Sequence, residues 1–136
     1  RYESALRGFV DSSGLADAVT FTGALDPSEL AARYAAADVF VCLSDHEGFA
    51  VPILEAWSHD IPVIAYAAAA VPETVGDSGV LLADKSPGSV AAAVDRVVTD
   101  GELRSVLIER GRRRLAGEFA PESVRARFVA AIESAR

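Results

Sequence analysis

Two short, uninterrupted apolar runs, Val39-Phe40-Val41-Cys42-Leu43 and Pro62-Val63-Ile64-Ala65, flank a segment that starts a helix at or near Pro52. No other feature limits the fold of this chain as strongly. Apolar strands without polar alternation belong in a sheet covered on both faces. Two of them joined through a helix belong in a parallel sheet. The rest of the sequence continues the alternation. A helix reads over residues 2–13, with Leu6, Phe9 and Val10 on one face and Gly14 as its stop. Val19-Thr20-Phe21-Thr22 reads as a short strand. Asp26-Pro27-Ser28-Glu29 has the order of a capping box: Asp26 as N-cap, Pro27 at the first helical position, Glu29 reaching back. Val71 to Val75 reads as a single helical turn and Val80-Leu81-Leu82 as the last strand. Ser86-Pro87 opens a helix carrying Val90, Val94, Val97 and Val98, and two more helices are expected over about 102–117 and 121–135. The expectation is an α/β fold, a Rossmann-like doubly wound parallel sheet.

The chain has 136 residues, enough for one domain with a real core and too few for two ordinary ones. Its formal charge of −7 argues against a general nucleic-acid binder. From Glu102 onward the sign reverses, with eight arginines against five glutamates, and Arg110, Arg112, Arg113 and Arg114 form the one basic run. That run reads as a solvated helix face. No apolar stretch approaches the roughly 20 residues of a membrane helix, and the expected setting is cytoplasmic. Cys42, the single cysteine, leaves no internal disulfide and reads as core filler within its apolar strand. Two histidines without a local carboxylate-and-cysteine set make no metal site. Arg1 opens the chain and there is no methionine, so the sequence reads as a piece of something longer.

The chemistry concentrates in Glu47-Gly48-Phe49-Ala50-Val51-Pro52-Ile53-Leu54-Glu55. In open α/β sheets, ligands bind outside the carboxyl ends of the strands. The loop before Val51 lies at such an end. A helix starting there presents bare amides and its positive dipole end to the crevice, a ready anion site. Gly48 allows close backbone approach. Glu47 and Glu55 stand eight positions apart, and ionised carboxylates are acceptors that suit vicinal hydroxyls. Glu55, one turn into the helix, is expected at the same crevice edge. Trp57 has the spacing of a packing residue, His46 reads as loop surface, and His59 as part of a helix cap.

The run Ala37-Asp38-Val39-Phe40-Val41, then Ser44, Glu47 to Ala56, Pro62-Val63-Ile64-Ala65 and Val71-Pro72-Glu73, resembles the C-terminal domain of retaining GT-B glycosyltransferases of the group 1 (GT4) type. The resemblance covers essentially the whole chain. It implies a sugar moved from a nucleotide-sugar (UDP-, GDP- or ADP-linked) to an acceptor with retention of anomeric configuration. By position, Glu47 is the catalytic-site carboxylate on the donor sugar. Gly48, Phe49, Ala50 and Val51 supply amides to sugar and diphosphate, and Glu55 holds the ribose. No metal or other cofactor is implied. The partners implied are the nucleotide-sugar, an acceptor of unknown identity and an N-terminal acceptor domain in the parent chain, which sits in the cytoplasm and peripherally at the membrane.

Some positions depart from the pattern. Ala50 stands for the usual Gly, adding a methyl group where the sugar should lie. Ser58-His59-Asp60-Ile61 replaces a small-residue-then-Gly segment, so Asp60 is left to form the left-handed cap. The family domain's first two strands are missing, and with them the basic residues that clamp phosphate. In the order 3-2-1-4-5-6, the strands at 19–22 and 39–43 then lose their neighbours. This predicts an exposed edge, strand exchange or a homodimer, or a sheet closed by moving 19–22 beside 39–43. The competing reading is a non-catalytic Rossmann-like binding or assembly module. A receiver-like signalling domain needs an acidic cluster and a lysine at strand ends, which Lys85 alone does not supply.

Overall fold

A computed structural model describes residues 2–135. The chain divides into two compact units, Arg1–Ala32 and Arg33–Arg136.

In the first unit, α1 (Tyr2–Ser12) is amphipathic in sequence, yet it buries no residue. Phe9 is 66% exposed, and of the expected apolar face only Val10 is half-buried. Arg7 pairs with Glu3 one turn back at 2.7 Å and lies over the Phe21 ring, 4.6 Å from its centroid. The capping box forms as its residues dictate. The Asp26 carboxylate accepts from the amides of Ser28 (2.8 Å) and Glu29 (2.9 Å), and Glu29 accepts from the Asp26 amide (3.0 Å), opening α2 (Pro27–Ala35). The expected strand at 19–22 does not form. A strand needs a ladder partner for its amides and carbonyls, and Val19 to Thr22 join none among the described residues.

The second unit is built on β1 (Phe40–Cys42), β2 (Val63–Tyr66) and β3 (Val80–Leu82), a parallel sheet in the order β1-β2-β3. Phe40 stands opposite Val63, and Ile64 opposite Val80. The sheet therefore closes neither by moving 19–22 beside β1 nor by any further strand among the described residues; β1 and β3 are its two edges. Side chains alternate across it. Phe40, Cys42, Val63, Ala65 and Leu81 join one cluster with Ile53, Ala56 and Trp57 of α3 (Val51–Ser58) and with Val71 and Val75 of α4 (Val71–Val75). Val41, Ile64, Val80 and Leu82 join the other, with Val97 of α5 (Pro87–Thr99) and Leu107 of α6 (Gly101–Glu118). Covering both faces explains why the strands are apolar without alternation. α7 (Pro121–Ser134) ends the described chain and buries no residue.

Local chemistry sets the boundaries. Ser86 caps α5 by accepting from the Ser89 amide at 3.3 Å, and Asp100 caps α6 by accepting from the Leu103 amide at 2.9 Å. Asp60 takes the left-handed conformation (φ 60°) expected of it. Its amide donates to the Trp57 carbonyl at 3.1 Å and that of Ile61 to the Ala56 carbonyl at 3.0 Å, the paired bonds of a Schellman ending. Arg112 of α6 bonds the Asp60 carboxylate at 2.5 Å, and that hydrogen bond holds the carboxyl below its ordinary range. His59, the C-cap residue, stacks on Tyr34 with centroids 5.4 Å apart. Trp57 is core as expected, 2% exposed. Gly111 makes its close packing feasible, since a Cβ at that position would collide with Cδ1 of the Trp57 indole.

Candidate donor site

The segment after β1 runs through a loop and enters α3 at the carboxyl end of the sheet. Ala50, the N-cap of α3, is left-handed (φ 59°, ψ 57°) and offers no side-chain cap. Among the described residues, the amides of Gly48, Phe49, Ala50 and Val51 have no hydrogen-bond acceptor, and Pro52 carries none to satisfy. Four successive donors thus stand at the positive end of a helix. The methyl of Ala50 does not project into open space as expected from the missing Gly. The residue is 5% exposed and belongs to the core cluster with Ile53.

α4 holds the loop in place. Thr74 Oγ1 donates to the Phe49 carbonyl at 3.0 Å, and the Ala70 amide donates to the Glu47 carbonyl at 3.3 Å. The Phe49 ring meets Phe119 edge-on at 5.5 Å. On the other flank, Lys85 spans from the segment after β3 to the segment after β1. Its ammonium contacts the Asp45 carboxylate at 2.5 Å, donates to the Leu43 carbonyl at 3.4 Å, and lies 5.2 Å from the Tyr66 ring centre. The Lys85 hydrogen bond, reinforced by its charge, holds the Asp45 carboxyl below its ordinary range.

The two glutamates have unlike environments. Glu47 is half-buried, and its carboxylate has no hydrogen-bonding or ionic partner among the described residues. Glu55, also half-buried, accepts a hydrogen bond from the Tyr34 hydroxyl at 2.9 Å. Burial first, then that hydrogen bond and the charge of Glu55, push the Tyr34 hydroxyl up to about 12. A cavity of about 330 Å³ borders Gly48 and Phe49 and reaches Glu73, Phe119 and Arg127, but neither Glu47 nor Glu55 lies in its wall. No cluster of three metal-ligating side chains occurs among the described residues. Cys42 is half-buried against the core.

Sequence reading missed two groups here. Lys85 carried no signal beyond its charge, because its partners lie about forty residues away. Arg114 lies in the basic run that reads as solvated helix surface. Instead its guanidinium donates to the carbonyls of Thr74 (2.8 Å) and Glu73 (2.7 Å) and pairs with Glu118 (2.7 Å), fastening α6 to α4.

The parallel sheet covered on both faces has the fold of the C-terminal domain of GT-B glycosyltransferases, as its likeness to solved structures shows. The chain belongs to the glycosyl transferases group 1 family, whose model matches residues 2–114. It is 35% identical over 125 residues to an MMP alpha-(1->4)-mannosyltransferase of Mycolicibacterium hassiacum, covering 90% of this chain and 30% of that protein. A GDP-mannose-dependent alpha-(1-6)-phosphatidylinositol monomannoside mannosyltransferase of Mycobacterium tuberculosis is 32% identical over 137 residues, 94% of this chain and 36% of that protein. The C-terminal domain of the glycosyl transferase group 1 family protein LpcC from Francisella tularensis superposes with a TM-score of 0.72 at 33% identity, covering 85% of this chain and 60% of that one. Sucrose-phosphate synthase from Thermosynechococcus elongatus gives 0.76 at 29% identity, covering 96% of this chain and 34% of that one. The chain spans about a third of the length of the two mannosyltransferases. Among the described residues no helix is long and apolar enough to cross a membrane.

Proposed function

We propose that this chain is the donor-binding part of a retaining glycosyltransferase that moves a sugar from a nucleotide-sugar to an acceptor hydroxyl. The observation that carries the reading is the run of four unpaired amides, Gly48 to Val51, beside the unpartnered carboxylate of Glu47. The amides bind the diphosphate. As the bond from the anomeric carbon to the diphosphate breaks, negative charge grows on the leaving oxygens, and donors fixed at a helix start stabilise it more than the ground state. Glu47 accepts from donor-sugar hydroxyls, and the acceptor oxygen bonds to the anomeric carbon on the face the diphosphate leaves, its proton passing to the departing diphosphate oxygen. Glu55 takes the ribose diol with its second oxygen while Tyr34 holds the first. In this reading the backbone amides stabilise the diphosphate charge by hydrogen bonding, and no divalent cation or cofactor takes part. An N-terminal domain of the parent protein supplies the acceptor, and the enzyme works in the cytoplasm, peripherally at a membrane.

The relatives' names make GDP-mannose the first donor to test, with UDP- and ADP-sugars beside it. Calorimetric titration of the full-length protein is expected to show binding of one of them. Glu47→Gln should weaken the sugar-nucleotide more than the free nucleoside diphosphate, and Glu55→Ala should weaken both by about 1–3 kcal/mol. Affinities unchanged by both substitutions would remove this reading. One observation favours a second: Glu55 is already engaged by Tyr34, as in a module that keeps the fold without the chemistry. Donor binding without any turnover or donor hydrolysis would select that alternative.

A further inference from the structure

Two carbonyls of the donor loop are held by α4. Thr74 is buried, and its Oγ1 donates to the Phe49 carbonyl at 3.0 Å. One turn earlier, the amide of Ala70, the N-cap residue of α4, donates to the Glu47 carbonyl at 3.3 Å. A trans peptide unit is planar, so its N–H points opposite to its C=O. Both units here are trans. The unit that carries the Phe49 carbonyl carries the N–H of Ala50, and the one that carries the Glu47 carbonyl carries the N–H of Gly48. Drawing both carbonyls onto α4 therefore turns both amides away from it. Neither amide has an acceptor among the described residues.

Two further observations give the Thr74 bond a purpose beyond packing. Valine has nearly the same shape as threonine and leaves no hydroxyl to satisfy, so a buried site does not by itself call for Thr74. Ala50 is left-handed at φ 59°, a strained state for alanine that surrounding contacts must maintain. That φ is one of the two dihedrals that set the Phe49–Ala50 peptide plane. The hold is itself fastened: Val71 and Val75 are core residues, and Arg114 donates to the Thr74 and Glu73 carbonyls.

We infer that Thr74 is a positioning residue for the donor: its hydroxyl fixes the Phe49–Ala50 peptide plane and so presents the Ala50 N–H to the diphosphate. The inference rests on the donor reading of the loop and adds which side chain aims one of its amides. A donor fixed before the ligand arrives needs no reorganisation as charge grows on the leaving oxygen.

The test is amide NMR of the full chain as the native sequence, Thr74→Val and Thr74→Ser, titrated separately with GDP and UDP. Without nucleotide, Thr74→Val is expected to lower the order parameter of the Ala50 N–H from about 0.85 toward about 0.6. The amides of β2 should stay unchanged. Thr74→Ser keeps the hydroxyl and should keep the Ala50 order. One nucleotide is expected to shift the Gly48 to Val51 amides of the native chain. It should bind Thr74→Val about fivefold more weakly and Thr74→Ser within about twofold of native. Native affinity or native Ala50 order in Thr74→Val overturns the inference and leaves the donor reading standing. Equal weakening by both variants overturns it too, since packing and not the hydroxyl would then matter. So does a Thr74→Val chain without native β2 signals, because the hydroxyl would then serve the fold. If neither nucleotide shifts the loop of the native chain, the donor reading fails and the positioning role falls with it.

Discussion

Residues 2–32 and 33–135 are written with equally clear local signals, yet only the second stretch builds a core. α1 has apolar residues at helical spacing, and α2 opens on a complete capping box, but no residue of 2–32 is buried. In the second stretch Ile53, Val63, Ile64 and Val75 are wholly buried on the two faces of one sheet. The difference lies in the strand. Val39 to Leu43 finds β2 as a partner, and once paired its two faces become surfaces for helices to cover. Val19 to Thr22 finds none, so its apolar side chains gather no layer. Capping and periodicity set where a helix starts, while packed layers supply most of its stability.

Substitutions can break this contrast. The largest effect is expected from Trp57→Ala, which empties the junction of α3 and α6. A loss of about 3–5 kcal/mol in urea unfolding is expected; a loss near zero would mean this face is not a core. Gly111→Ala attacks the same contact from the other side. Its new methyl meets the indole, and overpacking should cost about 1–3 kcal/mol. If Gly111→Ala is neutral, the helices are not as closely apposed as the structure has them.

Tyr34→Phe comes next, at about 1 kcal/mol for a part-exposed hydrogen bond to a carboxylate. It also has a pH signature. The Tyr34 hydroxyl titrates at about 12 in the folded chain against an ordinary 10.0. Protons are thus bound more tightly by the native state between those values, and the linked stability is present below pH about 10 and fades as pH rises through about 12. Unfolding midpoints across that window should fall more steeply for the native sequence than for Tyr34→Phe, and parallel curves would refute the coupling. The smallest change is expected in the first stretch. Phe9→Ser, at a side chain 66% exposed, should move stability by less than about 0.5 kcal/mol. A larger loss would erase the contrast between the two stretches.

Much of the fold was legible because its signals are local. The helix at Val71–Val75 and the strand at Val80–Leu82 fall on the expected residues, and the other helices within two residues of them. The left-handed turn at Asp60 was legible too, from the place where a glycine is usual. Within the site, the amides leading into α3 could be anticipated, since a Gly-containing loop before a Pro-led helix leaves backbone donors unpaired. The partners of the side chains could not. Tyr34 and Glu55 are 21 residues apart, Phe49 and Thr74 are 25 apart, and Arg114 reaches carbonyls 40 residues away.

By itself, then, the sequence determined the order of strands and helices, the caps that bound them and the donor loop's bare amides, because backbone conformation answers to near neighbours. Tertiary structure alone decided that Val19 to Thr22 would stay unpaired, that the Ala50 methyl would turn into the core, and that Glu55 would be held by Tyr34 while Glu47 stays free. It also decided that α6 and α7 would meet the loop around a cavity. Those outcomes depend on which distant surfaces come into contact, and burial and pairing act only once they have.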